Sequence, residues 1–117
     1  MKENIVQQKS YEFAKSIIFL YRELKTKKEH EIGSQILRSG TSIGANIEEA
    51  IGGHSERDFL SKITISYKEA RETKYWLRLL RDTNIINYET ADQYIEKCEE
   101  LLRILGSIQK SVKKKQL

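Results

Sequence analysis

The chain has 117 residues, 32% of them charged, with no proline, six glycines and one cysteine. That length supports one domain with a real core, and the absence of proline beside many charged residues favours a helical protein. A lone cysteine excludes an internal disulfide, no apolar run reaches the ~18 residues of a membrane span, and the N-terminus lacks a signal-peptide core, so the expected location is the cytoplasm. The formal net charge of +4 is modest for one copy and becomes a substantial field if copies assemble.

Four helices are expected, at roughly 5–27, 30–51, 55–82 and 88–113, with a basic tail over 113–117. In the first, Phe13, Ala14, Ile17, Ile18, Leu20, Tyr21 and Leu24 share a broad apolar face, which gives way to a charged connector ending at His30. The second carries Ile32, Ile36, Gly40, Ile43, Ile47 and Ala50 at alternating steps of four and three. Gly40 and Gly44 each cost about 0.5–1 kcal/mol relative to alanine inside a helix. The available physical reason is close approach of a neighbouring helix where no Cβ intervenes. Gly52 and Gly53 then suggest a left-handed stop.

The third helix opens at Ser55-Glu-Arg-Asp58, similar to a capping box, and its core line is Phe59, Ile63, Tyr67, Ala70 and Leu77, with Leu60 and Leu80 beside it. Ile85 and Ile86 are expected to pack under the following turn. The fourth helix shows Tyr94, Cys98, Leu101, Leu105, Ile108 and Val112 at heptad spacing, the repeat of left-handed bundle packing. On that seam Cys98 reads as a small core residue. Helices of similar length joined by short connectors fold most simply as an up-down-up-down four-helix bundle. Ile95, Leu102, Trp76 and Leu79 fall outside the core lines, a surplus of apolar surface that suggests self-association.

Arg38-Ser-Gly-Thr-Ser-Ile-Gly-Ala-Asn-Ile-Glu-Glu-Ala50, then Ser55-x-x-Asp58-Phe59, then Lys68-Glu-Ala-Arg-Glu-Thr-Lys-Tyr-Trp-Leu-Arg-Leu-Leu80 together resemble the family of four-helix-bundle proteins found as reading frames in 23S rRNA intervening sequences. Many members carry proline where this chain has Gly44. The resemblance implies a homo-oligomeric ring, typically a pentamer. It also implies kinship with the accessory variability determinant of diversity-generating retroelements, which binds nucleic acid and a reverse transcriptase through basic surfaces. Most other members have no established activity, and their tie to ribosomal RNA is one of gene position.

Among candidate functional residues, Arg71, Lys74, Arg78 and Arg81 recur at steps of three, four and three, on one face of the third helix. Lys74 and Arg81 point close to the core, so they must snorkel, pair with carboxylates or line a wet channel. Regular cations suit phosphate contacts, while Glu69, Glu72 and Glu49 are the carboxylates expected to neutralise them in a purely structural reading. Lys113, Lys114 and Lys115 form a frayed basic end that adds diffuse attraction. Arg38, Ser42, Asn46 and Glu49 make a polar stripe on the second helix, suited to joining helices or subunits, with Asn46 and Glu49 orienting Arg38 or an arginine of the third helix. Trp76 reads as an interface anchor, and base stacking by Tyr67, Tyr75 or Trp76 needs an exposed ring.

No enzyme constellation stands out. Neither His30 nor His54 follows a glutamate by three residues, as a di-iron bundle requires, and no cofactor is implied. Glu69-x-x-Glu72 with Glu96-x-x-Glu99 superficially resembles magnesium-dependent nucleotide pyrophosphohydrolases, whose carboxylates must converge in a pocket. The reading is a non-enzymatic, self-associating scaffold that binds RNA or DNA electrostatically. A protein-binding scaffold with no nucleic-acid affinity is the alternative.

Overall fold

A computed structural model describes residues 2–115, which form four α-helices: α1 (Lys2–Thr26), α2 (His30–Ile51), α3 (Glu56–Asp82) and α4 (Tyr88–Lys115). They lie side by side in a rod of 48 × 21 × 20 Å. Pairs across the seams show that successive helices run antiparallel. Gln7 on α1 reaches Glu48 on α2 while Tyr21 lies beside Gly33, and on the far side of α2 Ser39 meets Thr73 and Ile43 meets Ser66. Lys74 meets Glu99 and Arg81 meets Asp92 between α3 and α4. Among the described residues no helix is long and apolar enough to cross a membrane.

Side chains set the helix boundaries. Ser55 sits in extended backbone and its Oγ accepts the Asp58 N–H at 3.1 Å, satisfying one orphan donor of α3. Asn87 does the same for α4, its Oδ1 accepting from the Glu89 and Thr90 amides at 2.8 and 3.3 Å. The helix stops differ from expectation. Gly52 has φ −83°, and among the described residues no glycine has positive φ; the left-handed residues are Lys28 (φ 63°) and Asn84 (φ 60°). Each closes a Schellman turn: Glu29 and Lys28 donate to the Leu24 and Lys25 carbonyls, and Ile85 and Asn84 to those of Leu80 and Arg81. The turn geometry therefore overrides the preference for glycine, and Lys28 carries a steric cost of about 1–2 kcal/mol.

The core contains Val6, Phe13, Ile17, Leu20 and Leu24 of α1 with Ile36, Ile43, Ile47 and Ala50 of α2. Ile63, Ala70, Leu77 and Leu80 of α3 join Ala91, Ile95, Cys98, Leu101, Leu105, Ile108 and Val112 of α4, with Ile86 tucked beneath the last turn. Two assignments shift. Ile95 is buried at 6% exposure, whereas Tyr94 is only half-buried and turns its hydroxyl to donate to the Ser16 carbonyl at 3.0 Å. Tyr67 and Phe59 sit at the margin of α3, and Ser66 and Thr73 take the inner positions instead. Their hydroxyls fit because Ser66 donates to the Ile43 carbonyl at 2.8 Å, while Thr73 donates to the Glu69 carbonyl of its own helix at 2.8 Å and pairs with the Ser39 hydroxyl at 2.9 Å.

Of the expected surplus, Trp76 and Leu102 pack partly against the core and Leu79 is half-buried, while the large exposed side chains are spread over the helices: Ile5, Tyr11 and Phe19 on α1, Ile51 on α2, Ile65 and Tyr75 on α3, and Tyr88 on α4.

Candidate nucleic-acid interface

The glycines of α2 face α1. A Cβ on Gly40 would lie 2.8 Å from Cγ2 and 2.9 Å from Cγ1 of the fully buried Ile17, closer than atoms tolerate. A Cβ on Gly44 would lie 3.3 Å from Ser10 Oγ and 3.4 Å from the Ser10 carbonyl oxygen. The segment is thus a contact surface for α1. On its other flank α2 presents Arg38, whose guanidinium donates to Glu69 at 2.9 Å and also to Glu72, both on α3. Trp76 Nε1–H donates to the same Glu72 carboxylate at 3.0 Å. That bond first, and Arg38 second, hold the Glu72 carboxyl below its ordinary range.

The pairing scheme differs from the one expected. Glu69 and Glu72 serve Arg38 rather than the α3 cations, and Glu49 pairs with Lys62 at 3.6 Å. Asn46 donates to the carbonyl and hydroxyl of Ser42, one turn back, so neither Asn46 nor Glu49 orients an arginine. The reason is angular. Counting 100° per residue, Glu69 and Glu72 turn toward α2, while Arg71, Lys74, Arg78 and Arg81 turn toward α4 and solvent.

Those four cations divide into two pairs. Lys74 and Arg81 are half-buried at the α3–α4 seam: Lys74 Nζ lies 3.0 Å from Glu99, and Arg81 bonds Asp82 and Asp92, each at 2.9 Å. The Arg81 guanidinium also stands 5.1 Å from the Tyr88 ring centroid. These bonds raise the Arg81 pKa, Asp82 contributing most and Asp92 next. Arg71 and Arg78 are exposed, and among the described residues neither forms an ion pair. Lys68 and Tyr75 share their outward line at steps of three, four and three, an alignment visible once the residues opposite Ala70 and Leu77 are read together. Lys113, Lys114 and Lys115 form the last helical turn of α4, where cations favour the negative end of the helix dipole. Residues 116–117 of the expected tail lie outside the described residues.

Between α1 and α4 runs a groove of about 540 Å³ whose walls include Phe13, Phe19 and Leu101, with Lys9, Lys15 and Lys97 beside Glu12 and Glu100 at its rim. Phe19 is 62% exposed and Ile5, at one end, 48%. Among the described residues no three His, Cys, Asp or Glu side chains gather as a metal site requires. The carboxylates of the two Glu-x-x-Glu pairs are divided, with Glu69 and Glu72 on Arg38 and Glu99 on Lys74. Cys98 is fully buried, donates to the Ala70 carbonyl at 3.1 Å, and has its thiol pKa pushed up to about 12 by burial, which disfavours the thiolate.

Comparison with known proteins gives a consistent result. The model of the 23S rRNA-intervening sequence protein family matches residues 2–107. The chain is similar to a solved protein of unknown function from the S23 ribosomal protein family of Bacteroides thetaiotaomicron VPI-5482. The two share 46% identity over 94% of this chain and 99% of that one, with a TM-score of 0.91. No curated relative matches.

Proposed function

The chain belongs to the 23S rRNA-intervening sequence protein family, and from that membership we propose a non-enzymatic cytoplasmic scaffold that assembles with copies of itself and binds nucleic acid. The observation that carries the reading is the division of the α3 cations. Lys74 and Arg81 are spent on carboxylates of their own chain, while Lys68, Arg71 and Arg78 face solvent with no such partner among the described residues. Cations without internal counter-charges are the groups that release counterions when phosphates replace them. The helical Lys113–Lys115 turn adds positive charge at one end of the rod. In an assembly of several copies, five by the family resemblance, these ridges repeat and the field sums.

The test is a fluorescence-anisotropy titration with short labelled RNA and DNA at low and moderate salt. Affinity should fall linearly in log–log form, with a slope of about −0.7 to −0.9 per phosphate contacted. Arg71→Glu combined with Arg78→Glu should reduce binding at least about 10-fold, as expected for two phosphate contacts converted to repulsion. Absence of binding at low salt overturns the reading. The apolar groove between α1 and α4 favours a second possibility, a protein-binding scaffold, which predicts salt-insensitive capture of a partner and no affinity for either nucleic acid.

A further inference from the structure

Among the described residues four aromatic side chains are more than half exposed: Tyr11, Phe19, Tyr75 and Tyr88. Three of them lie under a cation of their own chain. Lys15 Nζ stands 5.7 Å from the Tyr11 centroid, the Arg22 guanidinium 5.7 Å from Phe19, and that of Arg81 5.1 Å from Tyr88. Tyr75 is different. It packs edge-to-face with Trp76, the ring centroids 5.2 Å apart at an interplanar angle of 66°, and among the described residues no cation covers it.

Its helical neighbours are nonetheless cationic. Arg71 lies four residues before it, Arg78 three after, and Lys68 a further turn back, all exposed and outside any ion pair among the described residues. The carboxylates nearest in sequence are already engaged: Glu69 and Glu72 by Arg38, Asp82 by Arg81. Glu99, across the seam, is engaged by Lys74. The two arginines are separated by about 10.5 Å along the axis at 1.5 Å per residue, with the open ring between them.

We propose that the Lys68–Arg71–Tyr75–Arg78 ridge binds single-stranded nucleic acid, the Tyr75 ring stacking on one unpaired base while Arg71 and Arg78 take the phosphates on either side. The proposal rests on the nucleic-acid reading above and adds the class of ligand. Cations alone attract any polyanion. An open aromatic face adds affinity only for a ligand that offers a flat π surface, and a duplex keeps its base faces inside the stack. An acidic protein segment would satisfy the arginines and leave the ring without that partner.

The experiment uses the full chain, fluorescein-labelled oligonucleotides of about 12 nucleotides in single-stranded and duplex form, and polyglutamate as a competitor, at about 50 mM salt. Trp76 is the only tryptophan, so its fluorescence reports directly on events at the adjoining Tyr75. Tyr75→Ala should weaken single-strand binding about 5-fold to 100-fold and leave duplex binding within about 2-fold. Tyr75→Phe, which keeps the ring, should restore single-strand affinity, and Arg71→Gln with Arg78→Gln should weaken both forms. Single-strand binding that survives Tyr75→Ala but falls with the arginine pair overturns this proposal and leaves the broader reading standing. Equal loss on single strand and duplex, or polyglutamate competing as well as the oligonucleotide, also overturns it. No binding to either nucleic acid overturns both.

Discussion

Helix α1 touches α2 along one flank and α4 along the other, and the two contacts are opposite in kind. Against α2 the backbones close where Gly40 and Gly44 remove side chains, and Ile17 and Ser10 fill the space. Against α4 the helices stand apart over a groove, bridged by the Lys9–Glu100 pair at 3.3 Å and by the Tyr94 hydroxyl on Ser16. The α1–α2 seam holds by the absence of atoms. The α1–α4 seam leaves large apolar side chains such as Phe19 outside the core. The contrast shows that one helix can stabilise the monomer with one flank and keep the other for something else.

The largest effects should separate the two seams. Ile17→Ala is expected to cost about 3 kcal/mol, since it empties a fully buried site. Gly40→Ala should cost about 1–2 kcal/mol in the native background, its overpacking partly offset by about 1 kcal/mol of improved helix propensity. In the Ile17→Ala background the added methyl has room, and Gly40→Ala should become neutral or stabilising. Urea unfolding of the four proteins checks this double-mutant cycle. Equal costs in both backgrounds would show that close approach is not what Gly40 provides.

The α2–α3 seam packs apolar side chains and buried hydroxyls inside and carries the Arg38 ion pairs on its flank, which makes those pairs a control of intermediate size. Glu72→Gln should cost about 1 kcal/mol near neutrality by weakening the bond to Arg38. Because folding lowers the Glu72 pKa, the stability it contributes is present above its ordinary value of 4.5 and disappears as the pH falls through the lower folded value. The melting-temperature gap between native and Glu72→Gln proteins should therefore narrow on acidification, whereas the Gly40→Ala gap should not follow that titration. The smallest effect on stability belongs to the open seam. Phe19→Glu, at an exposed site, should change unfolding free energy by less than about 0.5 kcal/mol. If copies meet at the groove, sedimentation should nevertheless show it shifting the proposed assembly toward the monomer.

How much of this the sequence discloses depends on whether a residue's role is decided within its own helix. Ile36, Gly40, Ile43, Ile47 and Ala50 are legible on α2 because one apolar stripe and two glycines speak for themselves. Ser66 and Thr73 are not. A hydroxyl reads as surface until the Ile43 carbonyl and the Ser39 hydroxyl appear opposite it, and those partners belong to another helix. The α3 cations show the same limit. Period alone groups Arg71, Lys74, Arg78 and Arg81, but whether each is free depends on the register that puts Glu99 against Lys74 and Asp92 against Arg81. The left-handed Lys28 carries no residue-type signal, since the turn is imposed by the chain reversal around it.

The buried hydroxyl pair of Ser39 and Thr73 has a consequence for which structure the chain can choose. An apolar stripe repeating every three or four residues offers a neighbouring helix nearly equivalent seats one turn apart, about 5.4 Å along the axis. Sliding α3 by that step would part Thr73 from Ser39 and Ser66 from the Ile43 carbonyl; Thr73 keeps the Glu69 carbonyl of its own helix, while the Ser39 and Ser66 hydroxyls lose these partners in the core at about 1–3 kcal/mol each. The hydroxyls add little to stability when paired correctly. They work as a detent, making one seat distinct among several that grease alone would accept, and so hold the outward ridge of α3 at a fixed height on the rod.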